Sequence, residues 1–327
     1  MIWVTWRQHR TAAIACLVML FLLAAYAIAI GVWMRATFND DGLPVCLARS
    51  GGAGCPAAIT SFVDKFSHNG FATLINLPLI AIPGLLGLFV GAPLLGQELE
   101  RGTWRLAWSQ TVPRTRWLAA KLGLVTGGLV LFGVAVTALM TWYHAPLDEV
   151  TSRAEPLPFN GEGLTFTASL LCAFGVGVLA GLLLRNVIGA MVVTYIAWDL
   201  LTGLILVLGG PIHILPPSTM RIHCVDGCPG VTTGSLPPVS GHLGDFVYGV
   251  TRSGNQLVVS YLPASRFWTL QFIEGGIYLV VAAACLAAAV WLLNRRTTLG
   301  PARARLRQAV LVGVSDRLSA VAGADLR

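Results

Sequence analysis

The side chains able to do chemistry are few, and they form no familiar reaction centre. Six histidines, at positions 9, 68, 144, 213, 223 and 242, are scattered along the chain and read as solvated groups near loops and helix ends. There is no His-Glu-x-x-His metal motif and no Gly-x-Ser-x-Gly elbow, so no catalytic residue and no metal ligand set is assigned. No Gly-x-x-x-x-Gly-Lys-Ser/Thr loop is present to cradle a nucleotide phosphate. Two acids are more informative. Asp199 follows the apolar run Tyr195-Ile196-Ala197-Trp198, and Glu274 stands in another apolar run. A charge at the centre of a bilayer costs about 2.5–3.5 kcal/mol on insertion scales, so an acid there is a candidate functional group. The pair could line a path for a cationic or amphiphilic molecule. The plainer alternative is an acid that is protonated or hydrogen-bonded to a neighbouring helix. Glu274 is also close enough to the outer end of its run to reach water.

A second kind of chemistry is written in Gly96-Gln97-Glu98-Leu99-Glu100-Arg101-Gly102-Thr103-Trp104-Arg105-Leu106-Ala107-Trp108-Ser109-Gln110-Thr111-Val112-Pro113-Arg114-Thr115-Arg116. Glu98, Glu100 and Arg101 close an apolar helix. Thr103 is a suitable N-cap for a short helix over 103–110, and Pro113 stops its continuation. Trp104 and Trp108 stand four apart, and with Leu106 they give this rod an apolar side. A stiff amphipathic rod of about two turns is suited to docking in a cleft on another protein. The alternative is a charged loop with tryptophan anchors.

These residues need elements to hold them, and composition says what kind. The chain of 327 residues is 55% hydrophobic and only 11% charged, with a mean hydropathy of +0.72. A soluble domain carries roughly 25% charged residues, so the apolar surplus here calls for lipid as solvent. Six apolar blocks, about 11–33, 72–95, 119–142, 163–184, 187–208 and 267–293, are long enough to cross the membrane as helices. The expected fold is therefore all-α and polytopic, with a transmembrane domain over 1–300 and an amphipathic tail over 301–327. No cleavable leader is evident in the first block. Pro78, Pro83 and Pro93 should kink the second span. Arg185-Asn186 alone joins the fourth span to the fifth, which dictates a tight hairpin. Gly175, Gly177, Ala180 and Gly181 let helices approach the fourth span closely.

Charge sets the orientation. With the N-terminus in the cytoplasm, 15 of the 22 Lys and Arg residues fall on the cytoplasmic side and 7 outside, as the positive-inside rule requires. Localisation in the plasma (inner) membrane with both termini cytoplasmic follows. The net charge of +7 is thus a topology signal, and no nucleic-acid partner is expected. Trp3, Trp6, Arg7 and Arg10 suit either a segment at the headgroup level or a simple anchor. Cys46, Cys55, Cys224 and Cys228 all fall in outside loops, an even number that suggests two disulfides with three possible pairings. A metal at Cys224 and Cys228 with His223 is the weaker alternative. A short amphipathic helix is expected at 57–66. In the extracytoplasmic segment 209–266, before the last span, β-formers around Ser253-Gly254-Asn255 suggest a hairpin over 246–262.

The stretch from Glu98 to Arg114 resembles the type-2 family of ABC exporter permeases. There a Glu-x-Glu-Arg-Gly-Thr run ends the second span, and a helix ending near Ser-x-x-Val-Pro-Arg leads into the third. The matching residues are Glu98, Glu100, Arg101, Gly102 and Thr103, then Ser109, Val112, Pro113 and Arg114. The six-span layout is similar too. The resemblance implies a coupling helix that docks on a separate cytoplasmic ATPase, with ATP and Mg on that partner and no cofactor bound directly. It implies a second permease chain, identical or not, and export of an amphiphile such as a drug, peptide antibiotic or lipid. Glu98, Glu100, Arg101, Gly102, Thr103, Trp104, Trp108, Pro113 and Arg114 would form or orient the coupling element. The Trp-rich rod and the outside cysteines depart from the family pattern. Two other readings are a polytopic membrane enzyme using Asp199, Glu274 or His144, and a disulfide-stapled sensor or scaffold.

Overall fold

A computed structural model of the chain describes residues 2–50, 55–67, 70–101, 114–207, 218–223, 245–253, 256–293 and 295. Six helices are long and apolar enough to cross a membrane: Arg10–Asp40, Ala72–Arg101, Leu118–Asp148, Gly163–Leu184, Val187–Ile205 and Ala264–Leu293. We call them spans one to six. They bear out the six expected blocks, but the first three run on as helix beyond the apolar stretch. Span one belongs to a helix from Ile2 to Asp40, and span three to one from Arg114 to Asp148. Helical hydrogen bonding does not stop where hydrophobicity does, so polar residues in the headgroup layer continue the same ladder.

Span two is the irregular one, as its prolines predict. The helix Gly70–Leu86 contains Pro78 and Pro83 and passes into a π-helical segment, Gly87–Gly91, before resuming at Ala92–Arg101. Pro93 has no N–H for the carbonyl four residues back. The chain widens there, and the Ala92 N–H reaches the Gly87 carbonyl. Neighbouring helices make the distortion tolerable in lipid, because spans two and four are the most enclosed of the six.

Span four is the hub. It touches span two on both sides of the π-segment and also packs on spans three and five. Small residues permit this. A Cβ added to Gly87 would lie 2.5 Å from the Ala173 carbonyl oxygen, and one on Gly91 2.7 Å from that of Phe174. From the other side Gly177 and Gly181 meet the backbone of Gly87 and Ala92. The turn to span five is equally economical. Arg185 takes the left-handed conformation (φ 53°) and its N–H bonds the Gly181 carbonyl. Asn186 then caps span five, its Oδ1 accepting from Gly189 N at 3.0 Å.

Outside the spans, the loop after span one folds into helices Leu43–Ser50 and Pro56–Ser67, the second matching the expected amphipathic helix. Its Phe62 and Phe66 are buried, with Phe62 edge-on to Phe38 and Phe66 edge-on to Trp33. A Cys46–Cys55 disulfide joins the two helices. The segment before span six holds a three-stranded antiparallel sheet in the order β1 (Ser218–His223), β3 (Gln256–Leu262), β2 (Phe246–Ser253). The expected hairpin is β2–β3, in register Val250↔Val259 with an irregularity between Val247 and Gly249. Strand β1, from the Pro- and Gly-rich part, was not anticipated. It pairs across the other edge of β3, with Met220 opposite Val259. The sheet's Leu262 packs with Phe159, Phe267 and Leu270 where span six begins.

Candidate functional site

The end of span two carries the first half of the motif, and two of its acids are committed to other helices. Glu98 Oε1 receives Lys121 Nζ at 2.7 Å. The same ammonium donates to the Leu94 carbonyl at 2.9 Å. Lys121 sits one turn inside span three and only 4% of its side chain is exposed, so the carboxylate offsets part of the cost of burying its charge. Glu100 points the other way. Its Oε2 accepts from the Val187 N–H at 3.0 Å, satisfying one of the free donors at the N-terminus of span five. Ala92–Arg101 thereby becomes a junction fastened to span three by Glu98, to span five by Glu100, and to span four by glycine contact. Arg101, the last described residue before the connection, is exposed. Gly102, Thr103, Trp104, Trp108 and Pro113 lie outside the described residues, as does the 103–110 rod. Arg114 opens the helix that becomes span three.

The two intramembrane acids part company. Asp199 is exposed on the face of span five that also presents Val192, Tyr195, Ile196 and Leu200. Its carboxylate meets no partner among the described residues. Glu274 is only 6% exposed, on the face of span six that carries Tyr278 one turn deeper. The expectation that it reaches water is overturned, because Trp198, Tyr278 and Ala282 form a buried cluster on that side of the helix. Asp199 is thus exposed and Glu274 buried, so the two acids stand in different surroundings.

Of the four outside cysteines, Cys46 and Cys55 are paired, while Cys224 and Cys228 lie outside the described residues. Cys16, Cys172 and Cys285 are free. Among the described residues no group of three metal-ligating side chains converges. The amphipathic tail over 301–327 also lies outside the described residues.

Sequence reasoning missed a buried polar knot at the end of the bundle that carries the sheet. His144 is not a solvated group: it is 2% exposed, and its Nδ1 stands 3.0 Å from Glu162 Oε1, at an angle too oblique for a hydrogen bond. Arg153 reaches Glu162 Oε2 from Nη2 at 2.7 Å and Asp148 Oδ2 from Nε at 3.1 Å. Its guanidinium also lies 4.5 Å from the centre of the Phe267 ring. Nearby, Gln271 Oε1 accepts from the N–H of Thr165 at 2.9 Å and from its hydroxyl at 2.6 Å, while Nε2 donates to the Phe159 carbonyl at 2.8 Å. The knot ties the C-terminal end of span three to the N-terminal ends of spans four and six. His144 and Asp148 stand four apart on one helix, but Arg153 and Glu162 reach them only through the fold of the following connection, which spacing does not mark.

Among the described residues, the arrangement is that of a helical bundle in which the end of span two is joined to spans three, four and five. No curated protein and no solved structure gives a significant match to the chain. The family model described as ABC-2 membrane transporter related matches residues 17–208, which include most of span one, the whole of spans two to five and the whole motif. Over more than half of its length, therefore, the chain belongs to the ABC-2 membrane transporter related family, as a permease of that type.

Proposed function

We propose that the chain is the membrane-spanning subunit of an ATP-driven exporter in the plasma membrane, with both termini in the cytoplasm. Its energy comes from separate ABC ATPase subunits that bind ATP and Mg, and its partner in the membrane is a second permease chain. The substrate is an amphiphile, crossing or leaving the bilayer between the two chains. The observation that carries this reading is the three-way fastening of Ala92–Arg101. A rod at 103–110, pushed by an ATPase, would pull on span two, and Glu98 and Glu100 would pass the displacement to spans three and five.

The exposed Asp199 supports the second chain. Lipid is a poor neighbour for a carboxylate at mid-membrane depth, whereas a twofold interface or a hydrated pathway is a tolerable one. Co-purification with an ABC ATPase, followed by ATP hydrolysis in proteoliposomes, tests the proposal. Permease-dependent stimulation is expected to fall several-fold in Glu100→Ala and in Trp104→Ala. Unchanged stimulation in both variants would remove the coupling role.

A further inference from the structure

A cavity of about 390 Å³ opens between the first turns of span one, the second half of span two and the start of span three. Its apolar wall includes Ala12, Phe89 and Pro93, and its polar wall includes Gln97, Arg101 and Lys121. The volume is at the small end of the roughly 300–1,000 Å³ typical of ligand sites, enough for a polar headgroup and the first carbons attached to it. The π-segment contributes Phe89 and Val90 to the cavity's lining. Phe89, from that segment, is 59% exposed at its rim, and such insertions recur at functional sites.

The charges on the wall do not cancel. Lys121 is neutralised by Glu98, while Arg101 is exposed and makes no ion pair among the described residues. One uncompensated guanidinium at a polar–apolar boundary selects an anion attached to a hydrocarbon. Basic pockets between helices on the cytoplasmic side hold anionic headgroups for this reason, and the forked guanidinium matches phosphate oxygens.

We propose that this cavity seats an anionic phospholipid of the cytoplasmic leaflet, its phosphodiester on Arg101 and its first acyl carbons against Phe89 and Pro93. The inference rests on the proposed orientation, which places this end of the bundle at the inner leaflet, and it adds a lipid site at the root of the coupling element. Glu98 and Arg101 stand one helical turn apart, so the lipid would sit beside the Glu98–Lys121 fastening.

The test uses the full chain, purified and delipidated in detergent, with phosphatidylglycerol binding followed by native mass spectrometry. Wild type is expected to retain one phosphatidylglycerol and to prefer it over phosphatidylcholine. Arg101→Gln should weaken retention about fivefold, the value of one basic residue near a membrane surface. Arg101→Lys should keep most of it, and Ala12→Trp, which fills the cavity without touching charge, should abolish it. If Arg101→Gln does not fold, Ala12→Trp and the lipid preference of wild type decide. Equal binding of both lipids, or unchanged retention in Ala12→Trp, overturns the proposal. Displacement of the lipid by millimolar inorganic phosphate overturns it in favour of a soluble anion. No nucleotide or ATPase enters the measurement, so its failure leaves the coupling reading standing, and failure of coupling leaves the lipid site standing.

Discussion

Lys121 has the most to lose from a single change. Its ammonium is buried and depends on Glu98, and a buried charge stripped of its partner costs about 3–5 kcal/mol, far more than a surface pair. Glu98→Leu should therefore lower stability by about 3 kcal/mol, and Lys121→Met by a similar amount through the orphaned carboxylate. The double variant Glu98→Leu, Lys121→Met should recover most of the loss. Denaturation of all three in detergent gives the cycle, and additive losses would mean that the two groups do not depend on each other. Asp199 is the opposite case, a carboxylate without a partner among the described residues of its own chain. Asp199→Asn is expected to leave stability unchanged or raised and to slow export of a cationic amphiphile in vesicles. Unimpaired transport would reduce the residue to a packing role. The role of Glu98 at a helix end was legible from its motif. The dependence of Lys121 was not, because a lone lysine at the start of an apolar block looks like any topogenic charge. His144 departs from expectation for a related reason: the burial of a histidine near a helix end depends on Glu162, 18 positions on, and on the way the intervening chain folds back.

At the level of elements, apolar length located all six spans, since a bilayer imposes one requirement on every helix that crosses it. It could not fix helix ends, which are set by hydrogen bonding in the polar layers, nor strand β1, which exists only because β3 offers it an edge. Proline and glycine were the better guides to packing. Pro93 foretold a break in span two, and Gly177 and Gly181 foretold close approach, though not that the partner would be the π-segment. The glycines now divide into two classes. Gly87→Ala places a methyl group 2.5 Å from a backbone oxygen of span four, and overpacking of this kind costs about 1–3 kcal/mol. Gly128→Ala, where nothing lies within 4 Å, should be neutral or gain up to about 1 kcal/mol of helix propensity. Thermal unfolding of the two variants side by side reads the difference. Equal stability would mean that spans two and four are not in backbone contact.

For the whole molecule, the question is which surface meets protein and which meets lipid. Span one is the least enclosed of the six and presents Leu17, Phe21 and Leu22 outward, a uniformly apolar face that lipid covers at no cost. Span five is nearly as open, but its outer face mixes Val192 and Tyr195 with Asp199. Helices in lipid associate through close packing and polar contacts, because burying further hydrocarbon gains little there. The face of span five is thus the one that a second chain should cover, with the two Asp199 residues brought toward a shared axis. In a background lacking Cys16, Cys172 and Cys285, single cysteines at Val192 and Tyr195 should cross-link into a dimer on mild oxidation in membranes. A cysteine at Leu22 should not. Cross-linking at Leu22 without any at the span five positions would move the interface to span one and leave Asp199 to be explained by a water-filled path within a single chain.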